Sequence, residues 1–359
     1  MTDITAVTDC DLAQRGRSMI DFEVGLRQNA GRTQAGIERV LADRGVTAET
    51  LPEDMEARHR RIEEALGDLP AYRVRSLVGD WSWRQHGKAC EEAFEEVRDR
   101  VVPTLDALTE GGTTITRHPD VPAPRYWSEI WFHRTTGGWD ASDYNGFVHG
   151  ALVHRRYVAR IFPGDVYAQR RRVLEELPHR DYRRILELGT SSGHYTVALS
   201  ECFPEAHIVG VDLSPRMLEQ AQRVGNALGQ KWELHVLPGE ATGFADESFD
   251  LVTSYAIHHE LPPRIIKAWF EEAYRLLQPG GDLLMVDVPR YADLDRLAAW
   301  RFDWAAKWGG EPYWRAAAQL DFAEGARQAG FVDVRAHGIP PTGNPYLVYG
   351  HKPAEGANA

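Results

Sequence analysis

Through the first 110 residues, apolar side chains recur three or four positions apart in a strongly charged background. DLAQRGRSMIDFEVGLRQ, AGIERVLADRG, PEDMEARHRRIEEALG and HGKACEEAFEEVRDRVVPTLDAL each carry the spacing of an amphipathic helix. From Arg125 to Tyr167 this periodicity gives way to a run dense in rings: Trp127, Trp131, Phe132, His133, Trp139, Tyr144, Phe147, His149, His154, Tyr157 and Tyr167. Such a run serves either interdomain packing or one wall of a ligand site. From Tyr182 onward short apolar runs, RRILELG, AHIVGVDL, KWELHVLPG, FDLVTSYAI and GDLLMVDVP, alternate with helical segments such as SGHYTVALSECF, SPRMLEQAQRVGNAL and PPRIIKAWFEEAYRLL. Strict alternation of this kind predicts a mostly parallel sheet covered by helices on both faces. FVDVRAHGI and NPYLVYGHK, joined by a Pro-rich loop, predict a closing hairpin, and the tail AEGANA is expected to fray.

With 359 residues, 43% of them hydrophobic, the chain has material for two domains. The patterns place a helical domain at 1–165 and an α/β domain at 166–359. A formal charge of -12 speaks against nucleic acid or anionic membrane as partner. Cys10, Cys90 and Cys202 lack metal-ligand or redox spacing and read as free thiols of a reducing compartment. The N-terminus is acidic where a secretory signal needs a basic end, and no run approaches the roughly 20 apolar residues of a membrane span. A cytoplasmic, soluble protein is expected, with the helical module as a candidate for homodimer association.

The chemistry concentrates in RILELGTSSGHYTVAL, Arg184 to Leu199. A strand that ends in a glycine turn and re-enters a helix lets a ligand approach the backbone and meet unpaired N–H groups. The dinucleotide fingerprint asks for three glycines, yet only Gly189 and Gly193 are present, with Ser191 at the middle position. Glu187, two positions before Gly189, would oppose a pyrophosphate but attract an ammonium group. Asp212 closes the second strand, where a carboxylate can accept both ribose hydroxyls, and Glu240 follows the third, where it could accept an exocyclic amine.

ILELGTSSG, VGVDLSPRMLEQA, GEATGFADESFDLVTSYAIHHELPP and RLLQPGGDLLMVD together resemble the class I S-adenosylmethionine-dependent methyltransferases, in particular the broad small-molecule group that includes the ubiquinone-biosynthesis-type enzymes. The resemblance runs from about Arg183 to Lys352, half of the chain. It implies a Rossmann-like, doubly wound, seven-stranded sheet whose last strand is antiparallel, preceded by the mainly α-helical domain. S-adenosylmethionine would be the cofactor, with Gly189, Thr190, Ser191 and Gly193 as its loop and Glu187 near the methionyl amine. Asp212 would stand at the ribose, Leu213, Met217, Glu240 and Ala241 at the adenine, and Ser254 at the end of the fourth strand.

A sulfonium methyl is already electrophilic, so such an enzyme chiefly aligns a nucleophile and excludes water. His258, His259 and Tyr255 follow the fourth strand and are the candidate acid–base groups. No metal is expected, because adjacent histidines lack the i, i+4 register of a helix-borne pair. An insertion near 289–315, rich in Trp300, Trp304, Trp308, Tyr313 and Trp314, reads equally as an aromatic lid over substrate or as helix-on-domain packing. O-, N- or C-methylation of a small aromatic or lipophilic metabolite follows. A non-methyl-transfer reaction on the same scaffold, or a ligand-sensing regulator, stands beside it.

Overall fold

In the computed structural model, residues 9–134, 138–161, 166–340 and 343–354 are described. The expected boundary at 165/166 begins in residues outside that set, as do the last residues of the tail and the side chain of Tyr167. Five helices open the chain: α1 (Gln14–Arg32), α2 (Gln34–Asp43), α3 (Met55–Leu66), α4 (Pro70–Glu95) and α5 (Arg98–Ala107). Asp54 caps α3 through the Ala57 N–H, and Pro70 starts α4 at a position where its missing donor costs nothing. The ring-rich stretch forms short helices and one π-helix, Val148–Val158.

Among the described residues, eight strands form one sheet: β1 (Thr114–Arg117), β2 (Arg184–Leu188), β3 (His207–Asp212), β4 (Glu233–Val236), β5 (Phe249–Tyr255), β6 (Leu277–Asp287), β7 (Val332–Gly338) and β8 (Tyr346–His351). Their order is β1-β4-β3-β2-β5-β6-β8-β7, with β8 antiparallel to both neighbours and the remaining pairs parallel. The antiparallel last strand matches expectation. The seven strands expected of the α/β region are present as β2 to β8, and an eighth joins them from before that region: the run Thr-Ile-Thr-Arg pairs with β4 from Thr114↔Glu233 to Arg117↔Val236. Without it β4 would present a row of unpaired backbone groups, and β-branched residues suit that edge.

Helices α6 (Val166–Leu174), α7 (His194–Cys202), α8 (Pro215–Ala227), α9 (Pro263–Leu276), α10 (Arg296–Gly309), α11 (Trp314–Gln319) and α12 (Phe322–Ala329) complete the fold. Alternation along β2 sends Ile185 into one core and Leu186 and Leu188 into the other. The first of these cores is shared: Ile20, Phe94, Phe147 and Leu152 from the helical half join Leu199, Leu218 and Trp232 in a single cluster. Trp300 and Trp304, read as either lid or packing, are spent on packing against Ile37, Leu41, Ile62 and Tyr72 of α2 to α4. Strand order reverses beside β2, so the crevice at the carboxyl ends of β2, β3 and β5 is where such a sheet holds ligands.

Candidate functional site

The turn after β2 is built for close approach. Gly189 and Gly193 adopt φ of +77° and +86°, the left-handed region, and an added Cβ at Gly189 would stand 3.0 Å from Ile257. Ser191 also lies at φ +51°, where its N–H donates to Asp212 Oδ2 at 2.8 Å. Asp212 Oδ1 accepts from Ser214 N–H at 2.8 Å. Each oxygen keeps a further lone pair, and the residue borders the cleft. Burial raises the Asp212 carboxyl to about 6.

Glu187 lies beneath the turn, almost fully buried, and accepts one hydrogen bond, from Thr196 Oγ1 at 2.6 Å. Burial lifts it to about 8, with Asp212 adding to the rise and Thr196 opposing it. Thr190 turns its side chain toward Gly210 of β3 and is buried there. The loop glycines and Asp212 are thus brought together, with Glu187 one layer below.

A cleft enclosing about 400 Å³, solvent at its mouth included, opens beside Asp212, Leu213 and Gly239. Tyr126, Trp127, Phe132 and Trp269 wall it, so the ring-rich stretch does form one side. Glu240, half-buried, accepts the Tyr126 hydroxyl at 2.8 Å and the Trp269 indole N–H at 3.4 Å. Ala241 is exposed beside it, while Met217 is buried at the start of α8, its N–H held by Ser214 Oγ at 3.1 Å. Ser254 is buried in the sheet against Met285 Sδ at 3.0 Å and does not border the cleft.

The acid–base candidates separate. Tyr255 ends β5 with its hydroxyl 2.8 Å from Gln169 Oε1 and the Arg170 guanidinium 4.7 Å over its ring. His258 is fully buried, its ring packed between Trp269, Phe270 and Phe322, away from the cleft. His259 Nδ1 stands 2.8 Å from Asp287 Oδ1, while Asp287 Oδ2 accepts the His258 N–H at 2.5 Å. Burial alone would lower His259, yet the Asp287 charge and hydrogen bond raise it to about 9. Burial alone would likewise raise Asp287, but His259 holds it far below the usual carboxylate range.

Two groupings escaped the sequence reading. In the π-helix, residues five apart share a face, so His149 and His154 meet with ring centroids 4.6 Å apart, and His154 reaches His194 of α7 at 5.0 Å. All three imidazoles are pushed well below the usual value by burial, and so stay neutral against the cofactor loop. The second grouping joins distant residues: His133 Nε2 lies 3.1 Å from Glu260 Oε1 and its Nδ1 2.9 Å from Glu311 Oε1. Spacing could not reveal it, since Glu311 is brought in by the left-handed turn at Gly310 that ends α10.

A family profile for methyltransferase domains matches residues 185–281. The trans-aconitate 2-methyltransferase of Streptomyces coelicolor is 32% identical over 154 residues, 42% of this chain and 45% of that protein. A demethylmenaquinone methyltransferase of Thermus thermophilus is 35% identical over 120 residues, 33% and 54% of the two chains. The chain thus spans about half the length of these relatives. A solved phosphoethanolamine N-methyltransferase 2 of Haemonchus contortus, in complex with S-adenosyl-L-methionine, aligns at 19% identity and TM-score 0.42, covering 52% of this chain and 53% of that one. The profile match, which takes in the glycine turn and the acid at the end of β3, identifies residues 185–281 of the chain as a methyltransferase domain.

Proposed function

We propose that the protein transfers the methyl group of S-adenosylmethionine to oxygen, nitrogen or carbon of a small aromatic or lipophilic metabolite. The observation that carries this reading is a cleft that joins a buried acid at the end of β3, Asp212, to a wall of four large rings. Bound there, the cofactor supplies an electrophilic methyl on its sulfonium. The tasks left to the chain are gripping, orienting and drying.

Asp212 accepts ribose hydroxyls on the lone pairs that Ser191 and Ser214 leave free. Glu187, a buried carboxyl with a single hydroxyl partner, is suited to the methionyl ammonium, whose charge would draw it to its ionised form. Leu213 covers adenine from the β3 side, and Glu240 accepts its exocyclic amine in exchange for one of its present donors. Tyr255 and His259 handle protons at the acceptor end. His259 does so as a hydrogen-bond donor rather than a free base, because Asp287 keeps it protonated up to about pH 9. The helical half serves as substrate cap through Tyr126, Trp127 and Phe132 and as the surface on which two copies associate.

The test is incubation of the purified chain with S-adenosylmethionine and a panel of phenols, amines, carboxylates and enolisable ketones, measuring S-adenosylhomocysteine. Cofactor binding with acceptor-dependent product supports the reading. Cofactor binding with no S-adenosylhomocysteine from any acceptor would leave the scaffold and sink the methyl transfer.

A further inference from the structure

We infer that His133, His259, Glu260 and Glu311 form a binding site for a divalent transition-metal ion beside the cofactor cleft. The donors come from separate places in the chain: the Phe132–Arg134 turn, the His258–Glu260 turn after β5, and the residue that follows Gly310. Ligand atoms of His133, Glu260 and Glu311 all lie within 4.8 Å of one another. Donors at about 2.1 Å from a tetrahedral ion stand about 3.4 Å apart, so the widest pair, up to 4.8 Å apart here, must draw in by about 1.4 Å for the group to close on an ion.

Two features go beyond proximity. Glu311 has a side chain only 7% exposed, and its Oε2 is buried with no hydrogen-bond partner among the described residues, 3.8 Å from His259 Nε2. A buried carboxylate oxygen left without a donor is costly, and a cation at that point would remove the cost. The second feature is the support around the ligands. Asp287 engages His259 at Nδ1, 2.8 Å away, which aims Nε2 at Glu311 in the carboxylate–imidazole–metal arrangement; an ion there takes the place of the Nε2 proton that makes His259 a donor in the ion-free protein. The Trp139 indole N–H does the same for Glu260, donating to Oε2 at 3.2 Å.

Mixed imidazole and carboxylate donors suit ions such as Zn²⁺, Fe²⁺ or Co²⁺ better than Mg²⁺ or Ca²⁺, which prefer all-oxygen sets. Glu260 also borders the cleft, so the ion would stand within reach of an acceptor bound there. Holding an acceptor oxygen is the role that rests on the methyl-transfer reading; ion binding itself does not.

The experiment takes the full chain, dialysed against chelator, and titrates it with Co²⁺ while recording visible absorption and heat, with Zn²⁺ as competitor. Wild type is expected to saturate at one equivalent, and X-ray absorption of that complex to show imidazole and oxygen donors. Glu311→Gln is expected to bind much more weakly, and Asp287→Asn to lose about 10- to 100-fold. Absence of saturable binding to wild type at millimolar ion, a first shell without imidazole, or unchanged affinity in a folded Glu311→Gln chain would each overturn the site. Wild-type titration and spectroscopy decide the matter even where a variant fails to fold. Cofactor binding is measured in parallel: its loss counts against the methyltransferase reading, its persistence without ion uptake against this site alone.

Discussion

On the proposed reading, Asp212 and Glu187 both make cofactor binding stronger as pH rises, while Glu187 makes the cofactor-free fold weaker over the same range. Asp212 must be ionised to accept ribose hydroxyls, and burial raises it to about 6, so cofactor affinity should fall as pH drops below that value. Asp212→Ala should weaken binding by about 1.5–3 kcal/mol, the scale of lost charge-assisted hydrogen bonds, and should remove the part of the pH dependence centred near 6, leaving the part due to Glu187. Calorimetry across pH 5 to 8 reads both effects, and unchanged affinity in the variant would remove Asp212 from the site. Glu187 has a folded-state value of about 8 against an ordinary 4.5. A group raised on folding stabilises fully below its unfolded value, and that contribution is lost as pH rises through the folded one. The cofactor-free protein should therefore lose thermal stability from about pH 4.5 to 8, and Glu187→Gln should flatten that slope. An ammonium placed beside Glu187 would expel its proton. Cofactor binding at pH 7 should then release a proton, seen as a dependence of binding heat on buffer ionisation enthalpy. A binding heat independent of buffer would place the ammonium elsewhere.

At the level of elements, the glycine turn between β2 and α7 sets the cost of error. Gly189→Ala forces a left-handed residue, costing about 1–2 kcal/mol, and drives a methyl against Ile257. Denaturant titration should show that loss together with weaker cofactor binding, and adding Ile257→Ala should recover the steric part but not the backbone part. A full recovery would mean that the φ of +77° carries no strain. This turn was legible because its physics is local: a strand, two glycines and a helix start within ten residues. The parallel strands and the antiparallel closing strand were legible for the same reason, period-two or continuous apolar runs separated by helical ones. β1 was missed because four residues inside a polar stretch carry too little pattern, and its pairing with β4 spans more than a hundred positions. His149 and His154 were seen only as members of an aromatic run, since a 3.6-residue period puts five-apart residues on different faces and only the π-register aligns them. His258 and His259, adjacent in sequence, could not be told apart until the turn sent one into the core and the other to Asp287.

Across the whole molecule, the shared core means that the helical half and the sheet should unfold together. Phe147, fully buried between Phe94 and the sheet side of the core, is a test: Phe147→Ala should cost about 3–5 kcal/mol and shift a single transition rather than expose two. One apolar surface is left over from this packing. Val74, Leu77 and Trp81 follow the i, i+3, i+7 face of α4, and Met19 and Phe22 extend it on α1, with Phe22 edge-on to Trp81 at 6.2 Å. Phe22 and Leu77 are 60% and 68% exposed, a heavy apolar load for a surface that Arg15, Arg84 and Lys88 flank with charge. A second copy related by a two-fold axis would cover this stripe with its own, ring upon ring. The expected outcome is a dimer in sedimentation equilibrium that Phe22→Glu with Leu77→Glu converts to a monomer, at unchanged cofactor affinity because the stripe lies away from the cleft. A wild-type chain that sediments as a monomer at every concentration would assign the stripe to some other partner, and loss of cofactor binding in the double variant would show that the helical half supports the site directly.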